Sequence, residues 1–394
     1  MELWHVLIDG MGSNPSGSLL FVCLFFTLKG LTMQIAVNRR HFLGLLDRVA
    51  SAAASGRVTH EVLKFVRVDA DKRITVQATD GEVSIMVDGD AEVIEAGSAL
   101  IDPAKTASLL KESSAETITI DASESSVQFQ AGKSKFSLPS LDPEKFPRCK
   151  KAEDAKWITT QAEPLTGAIN RTKFACDTDS TRYQLGGVLI ESADGELVLV
   201  ATDGRRLSKL TIDAIGGEVG KSAIVFQKGL AAIIKAISGA SDVNIHLANN
   251  SIHVATEAAY VESRLVEGRF PDYTRVIPST QSSTKVPIEA GPFVSAMRQA
   301  LVVATAENRG VDLLFAPGEL AVSARGADIG AVETSLAIDS SLNLKATMDG
   351  RYVLDFAERC GSDEVFELNI KSESEPAVFV SDRWTYVVMP MARS

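Results

Sequence analysis

Val200-Ala201-Thr202-Asp203-Gly204 is an apolar strand end running into a tight polar turn, and the chain uses the pattern three times. Val76-Gln77-Ala78-Thr79-Asp80-Gly81 precedes it and Val322-Ser323-Ala324-Arg325-Gly326 follows it, with Ala78, Ala201 and Ala324 evenly spaced by 123 residues. A fixed long period whose flanking elements also recur signals internal repetition of one structural unit. The chain therefore reads as three copies.

The flanks carry the same order of elements each time. A strand leads into an amphipathic helix over 39–53, where Phe42, Leu45, Leu46 and Val49 fall at i, i+3, i+4 and i+7. Its counterparts are expected at 164–176 and 292–304, where Pro164 and Pro292 suit helix starts because the first helical amides need no partner. Alternating apolar segments then predict hairpins of 62–68 with 74–78, 184–191 with 197–201 and 311–315 with 320–324, each ending in the repeated motif. A second helix follows at 103–111, 228–237 and 350–360, then a last hairpin and a closing segment. Phe146-Pro147 and Phe270-Pro271 close the first two copies, which places domains at 33–153, 154–281 and 282–394. Two helices and several antiparallel strands per copy predict an α+β fold, with helices over one sheet face and sheet edges left to pair with each other.

At 394 residues, 45% hydrophobic and 23% charged, the chain can bury a separate core in each copy. Its net charge of −11 repels polyanions in general, so a nucleic-acid partner requires Lys and Arg to be segregated onto one surface. Cys23, Cys149, Cys176 and Cys360 have neither the spacing nor the nearby His pair of a zinc site, and a reducing cytoplasm suits them. Residues 1–32 look foreign to the repeat. Their apolar run, 19–28, is shorter than the roughly 20 residues of a membrane span, and no Lys or Arg precedes it as in a secretory signal. Met33 is the expected natural start, and no membrane partner is expected.

Candidate chemistry is sparse. Asp177-Thr178-Asp179-Ser180-Thr181 matches the D-x-D-x-T pattern of Mg²⁺-dependent phosphatases, in which one carboxylate attacks phosphorus and the other works as acid or base. That reaction needs the motif at the end of a buried parallel strand, whereas here it follows an amphipathic helix, so a polar loop is the preferred reading. The segment 216–222 misses a phosphate-binding loop because Ile215 stands where the first glycine belongs. His246 and His253 lack a third ligand, so no metal, cofactor or catalytic residue is assigned. Basic residues, by contrast, recur on the first helix of each copy: Arg39, Arg40 and Arg48, then Arg171 and Lys173, then Arg298. Three copies placing cations on one helix suit phosphate attraction without base reading.

Ala201-Thr202-Asp203-Gly204-Arg205-Arg206-Leu207, Glu267-Gly268-Arg269-Phe270-Pro271-Asp272-Tyr273 and the terminal Tyr386-Val387-Val388-Met389-Pro390-Met391 resemble the bacterial DNA polymerase III beta subunit, the sliding-clamp family. The resemblance runs from Met33 to Ser394. It implies three repeated clamp domains and a head-to-tail homodimer closed as a six-domain ring, with helices lining the hole around double-stranded DNA and no catalysis. It implies as partners the DNA polymerase III alpha subunit, the clamp loader, repair polymerases, mismatch-repair proteins and ligase, docking short peptides between the second and third copies. By the same resemblance that pocket falls on Leu185, Thr202, Gly204, Arg205, Leu207, Pro271, Arg275, Val276, Tyr352, Val387, Val388, Met389, Pro390 and Met391. DNA contacts carry over to Arg57, Arg182, Arg206 and Arg309, with Lys105 and Lys228 as further cations, and the ring contact to Val302 and Val303 against Leu109, Phe136 and Leu138.

Overall fold

A computed structural model describes residues 33–153, 155–178, 182–304, 309–326 and 329–391. Among the described residues the six α-helices are α1 Arg39–Ala50, α2 Pro103–Lys111, α3 Ala162–Thr172, α4 Gln227–Ile237, α5 Ala290–Val303 and α6 Gly350–Ala357, two in each copy. α3 and α5 begin two residues before the expected prolines. Pro164 and Pro292 sit at the third helical position, still among the first four amides that lack an intrahelical acceptor. The first helical amide of each copy finds the same external acceptor, as Arg39, Ala162 and Ala290 donate to the carbonyls of Glu116, Ser241 and Glu364.

The repeated motif ends a hairpin in each copy, as expected, and then turns the chain into a further strand. Ile74–Thr79 pairs with Val83–Gly89, Glu196–Thr202 with Arg206–Asp213, and Glu319–Gly326 with Gly330–Ala337, all antiparallel. The stretches around residues 62 and 184, expected as strand starts, are short 3-10 turns at Glu61–Lys64 and Tyr183–Leu185.

Those further strands join the copies. Val83–Gly89 of the first copy pairs with Ala259–Arg264 of the second, and Arg206–Asp213 of the second pairs with Trp384–Val388 of the third. A nine-stranded and an eight-stranded sheet therefore cross the copy boundaries, while a five-stranded and a four-stranded sheet lie at the two ends of the chain. Among the edge strands of the four sheets are Ser134–Pro139, the closing strand of the first copy, and Gly330–Ala337, the strand after the motif in the third.

One continuous apolar core runs beneath all six helices. Strand alternation sends the other side chains of the eight-stranded sheet to its opposite face. There Leu185, Val198, Val200, Leu207, Phe270 and Val387 form a second, smaller cluster. In the third copy Phe356 is fully buried, its ring 4.3 Å from Trp384, 5.3 Å from Phe366 and Phe379, and 5.4 Å from Tyr386. Phe356→Ala is expected to destabilise this copy by about 3–5 kcal/mol, seen as an earlier urea midpoint followed through Trp384 fluorescence.

Candidate functional site

The turn at residues 202–207 is built from its own side chains. Thr202 Oγ1 accepts the Gly204 N–H at 3.0 Å, and Asp203 Oδ1 accepts the N–H groups of Arg205 and Arg206 at 2.9 and 3.0 Å. Gly204 holds φ +85°, a region costly for side-chain-bearing residues. Thr79, Asp80 and Gly81 make the same turn in the first copy, with Gly81 at φ +92°. The third copy has Ala324-Arg325 instead and continues as strand to Gly326.

The spare oxygen of each Asp reaches toward the next copy. Asp80 pairs with Lys228 on α4. Asp203 Oδ2 accepts from Arg206 Nε at 2.9 Å, and Arg206 Nη1 donates to Asp355 on α6 at 2.5 Å and Nη2 to the Phe174 carbonyl at 2.7 Å. The Arg206 guanidinium also lies 4.3 Å from the Tyr352 ring centroid and 5.4 Å from that of Phe174. Arg206 is thus held within its own copy by Asp203 and Phe174 and joined to the third by Asp355 and Tyr352.

Above this junction, on the sheet face away from the helices, lies a cleft of about 170 Å³. Leu207 and Val387, cross-strand neighbours, form its floor with Leu185. Pro271, Tyr273 and Val276 make one wall, and Thr202, Gly204, Arg205 and Met389 complete it. The C-terminal segment is tied down as the Met389 N–H donates to the Arg205 carbonyl at 2.9 Å and the Met391 N–H to that of Thr347 at 2.8 Å. The cleft is thus apolar, preformed and edged by a few polar groups, as an anchor for apolar side chains requires.

Of the expected pocket residues, Leu185, Thr202, Gly204, Arg205, Leu207, Pro271, Val276, Val387 and Met389 converge on the cleft. The other five do not line it. Val388 faces the helix-side core, Tyr352 packs under Arg206, Arg275 extends into solvent beside Asp272, and Pro390 and Met391 continue past it along Thr347–Met348. Tyr273 lines the cleft and was not singled out, although it stands inside the 267–273 motif. Arg182 and Arg206, expected at DNA, line the cleft too.

The expected cations divide by environment. Arg57 is exposed and makes no ion pair among the described residues. Lys105 is exposed and 3.1 Å from Asp102, Arg182 is exposed and Arg309 half-buried. Arg206 and Lys228 both form ion pairs at the junctions between copies, with Asp355 and Asp80. Two cations of the repeated helix pattern are likewise structural. Arg39 caps the end of α2 through the Leu110 carbonyl at 3.0 Å, and Arg48 donates to the Ala236 carbonyl in the last turn of α4. Of the expected ring-contact residues, Val302 is strongly exposed and Leu109 half-covered, whereas Val303 is turned into its own core. Asp177 sits in a loop, all described strand pairs are antiparallel and Asp179 lies outside the described residues, so the phosphatase reading gains no support.

The architecture is that of three copies of one α+β unit fused through shared sheets, with an apolar cleft where the second meets the third. The N-terminal domain of the DNA polymerase III beta subunit matches residues 33–150 and its central domain residues 159–272. The beta sliding clamp of Chlamydia pneumoniae is 28% identical over 368 residues, covering 91% of this chain and 99% of the relative. The sliding clamp (DNA polymerase III subunit beta) from Pseudomonas aeruginosa bound to griselimycin shares the structure with a TM-score of 0.84 at 26% identity, covering 92% of this chain and all of that one. The DNA polymerase III beta subunit from Thermotoga maritima has the same fold, with a TM-score of 0.83 at 19% identity and coverage of 92% and 100%. This chain belongs to the DNA polymerase III beta subunit family, the beta sliding clamps.

Burial pushes the thiols of Cys149, Cys176 and Cys360 up to about 12. At pH 8 only about one molecule in 10,000 then carries each thiolate, the reactive form. Iodoacetamide at pH 8 is expected to leave all three unmodified in the native protein and to alkylate them in urea, as read by peptide mass mapping.

Proposed function

We propose that this sliding clamp acts as a non-catalytic DNA polymerase processivity factor: two chains close a ring around duplex DNA, and partners dock in the cleft above Arg206. The observation that carries the proposal is the equivalence of the two junctions between copies. Ile85, Ser208 and Val332 are equivalent, each paired with the alanine of its repeated motif. Phe136, Val261 and Tyr386 are equivalent in the closing strands, each paired with the residue at the same place in the last hairpin. Val261 stands opposite Ile85 at the first junction and Tyr386 opposite Ser208 at the second. The same register applied to the two free edges sets Phe136 of one protomer opposite Val332 of its partner, and Lys135 opposite Glu333.

The edges suit that pairing. Both alternate half-buried and exposed positions, and an unpaired strand edge is a template for another chain. α1 packs on α4 across the first junction; the equivalent pair across the ring is α5 with the partner's α2, which brings Val302 toward Leu109. The domains are taken as 33–153, 154–281 and 282–394.

Such a ring holds DNA by topology. Exposed cations on the helix side, Arg57 and Lys105 among them, give screened phosphate contacts that centre the duplex and still let it slide. The polymerase III alpha subunit, clamp loader, repair polymerases, mismatch-repair proteins and ligase are proposed to share the cleft through Leu- and Phe-bearing peptides, in the cytoplasm. No helix among the described residues is long and apolar enough to cross a membrane.

Three measurements test this. The particle in solution should have the mass of two chains, and after loading should stay on nicked circular DNA and leave when the circle is cut; a monomer, or retention on linear DNA, contradicts the ring. Lys135→Glu or Glu333→Lys should each weaken the dimer about 2- to 10-fold per interface, because like charges then face each other; the double exchange should restore the mass in sedimentation equilibrium. Val276→Glu and Met389→Glu alter exposed cleft residues, so each should abolish peptide binding in an anisotropy titration while the dimer persists.

A further inference from the structure

Beside the cleft, on the same outer face of the second copy, lies a much larger groove of about 1400 Å³. The segment from residue 264 to 274 arches over strands Gly187–Ala193 and Ser222–Phe226 to form it. Pro271 and Tyr273 line both the cleft and the groove. Tyr273 stands at their shared wall with its hydroxyl donating to Glu191 at 2.6 Å. A chain anchored in the cleft therefore has the groove open to it one side chain away.

The groove also selects by charge. Glu191, Glu262, Glu267 and Asp272 line it against only two cations, Arg264 and Arg269. Asp272 is already engaged by Arg275 at 2.9 Å and Thr274 at 2.6 Å. The other carboxylates are less satisfied. Glu191 and Glu262 are half-buried, Glu262 has the Cys149 thiol at 4.0 Å and His253 across the strand pair, and Glu267 makes no hydrogen bond or ion pair among the described residues. Both arginines are exposed, whereas Glu191 and Glu262 are half-buried on strands Gly187–Ala193 and Ala259–Arg264. An arriving cation thus gains more than an arriving anion, because attraction is stronger where water is partly excluded.

We propose that this groove is an extension of the partner-docking site that receives a Lys- or Arg-bearing flank of the peptide anchored in the cleft. The inference rests on the reading of the cleft as a peptide site. Cleft and groove then have separate tasks: the cleft recognises apolar anchors, and the groove grades partners by the charge of the residues beside them.

The probe is a fluorescein-labelled peptide with Leu and Phe anchors, used alone or extended at either end by Gly-Lys-Lys-Lys or Gly-Glu-Glu-Glu, titrated with the intact dimer by anisotropy. One lysine extension should bind about 5- to 10-fold tighter than the core peptide at about 50 mM salt, with the gain lost near 500 mM. Glu262→Gln with Glu267→Lys should remove that gain and leave core-peptide affinity unchanged. Glu319→Lys, a charge change on the third copy, should leave the gain intact. The groove assignment is overturned if the core peptide binds but neither lysine extension tightens it, if a glutamate extension is the tighter one, or if the gain survives in the groove variant. Failure of the core peptide itself to bind overturns the cleft reading, and the groove reading with it.

Discussion

Strand pairing across copy boundaries is the constraint on which everything else depends. Each copy presents an edge on the strand after the repeated turn and another on its closing strand. An edge must be paired, covered or made unattractive. This chain pairs them with each other in one register, Val261 on Ile85 and Tyr386 on Ser208. The three copies thus follow one another by one repeated strand pairing. The edges left at the ends are the same two kinds that meet inside the chain.

The two internal junctions are reinforced differently, and function follows the difference. At the first, the turn carboxylate of Asp80 meets Lys228 directly. At the second, Asp203 works through Arg206, which spreads its contacts over Asp355, the Phe174 carbonyl and two aromatic rings. A planar guanidinium can serve several partners at once where an ammonium acts as a point charge. The broader anchor supports a cleft floor of Leu207 and Val387, and no such cleft is needed at the first junction. One repeated turn thus serves as plain architecture in one copy and as the rim of the cleft in another.

The repeat, the six helices and most cleft residues were legible in the sequence. Helical periodicity and the 201–207 and 267–273 motifs are local patterns, and local patterns survive without coordinates. The strand after each motif was not read as a separate element, because its residues alternate like the hairpin before it and only its partner in the next copy distinguishes it. The cations were the weakest reading. Arg206, Lys228, Arg39 and Arg48 look like phosphate binders in a list of charges, yet each is consumed by a carboxylate or a carbonyl at a helix end.

The sequence by itself determined that there are three copies, that each is α+β, and that the third differs at the repeated turn, since period, amphipathicity and turn chemistry are properties of neighbours along the chain. Tertiary structure alone decided which edges meet, which arginines remain available, and that Val303 and Val388 point inward while Val302 and Val387 point to other surroundings. These are questions of which face a side chain takes and what stands opposite. A strand reverses its side chains at every residue, so only the partner strand settles them.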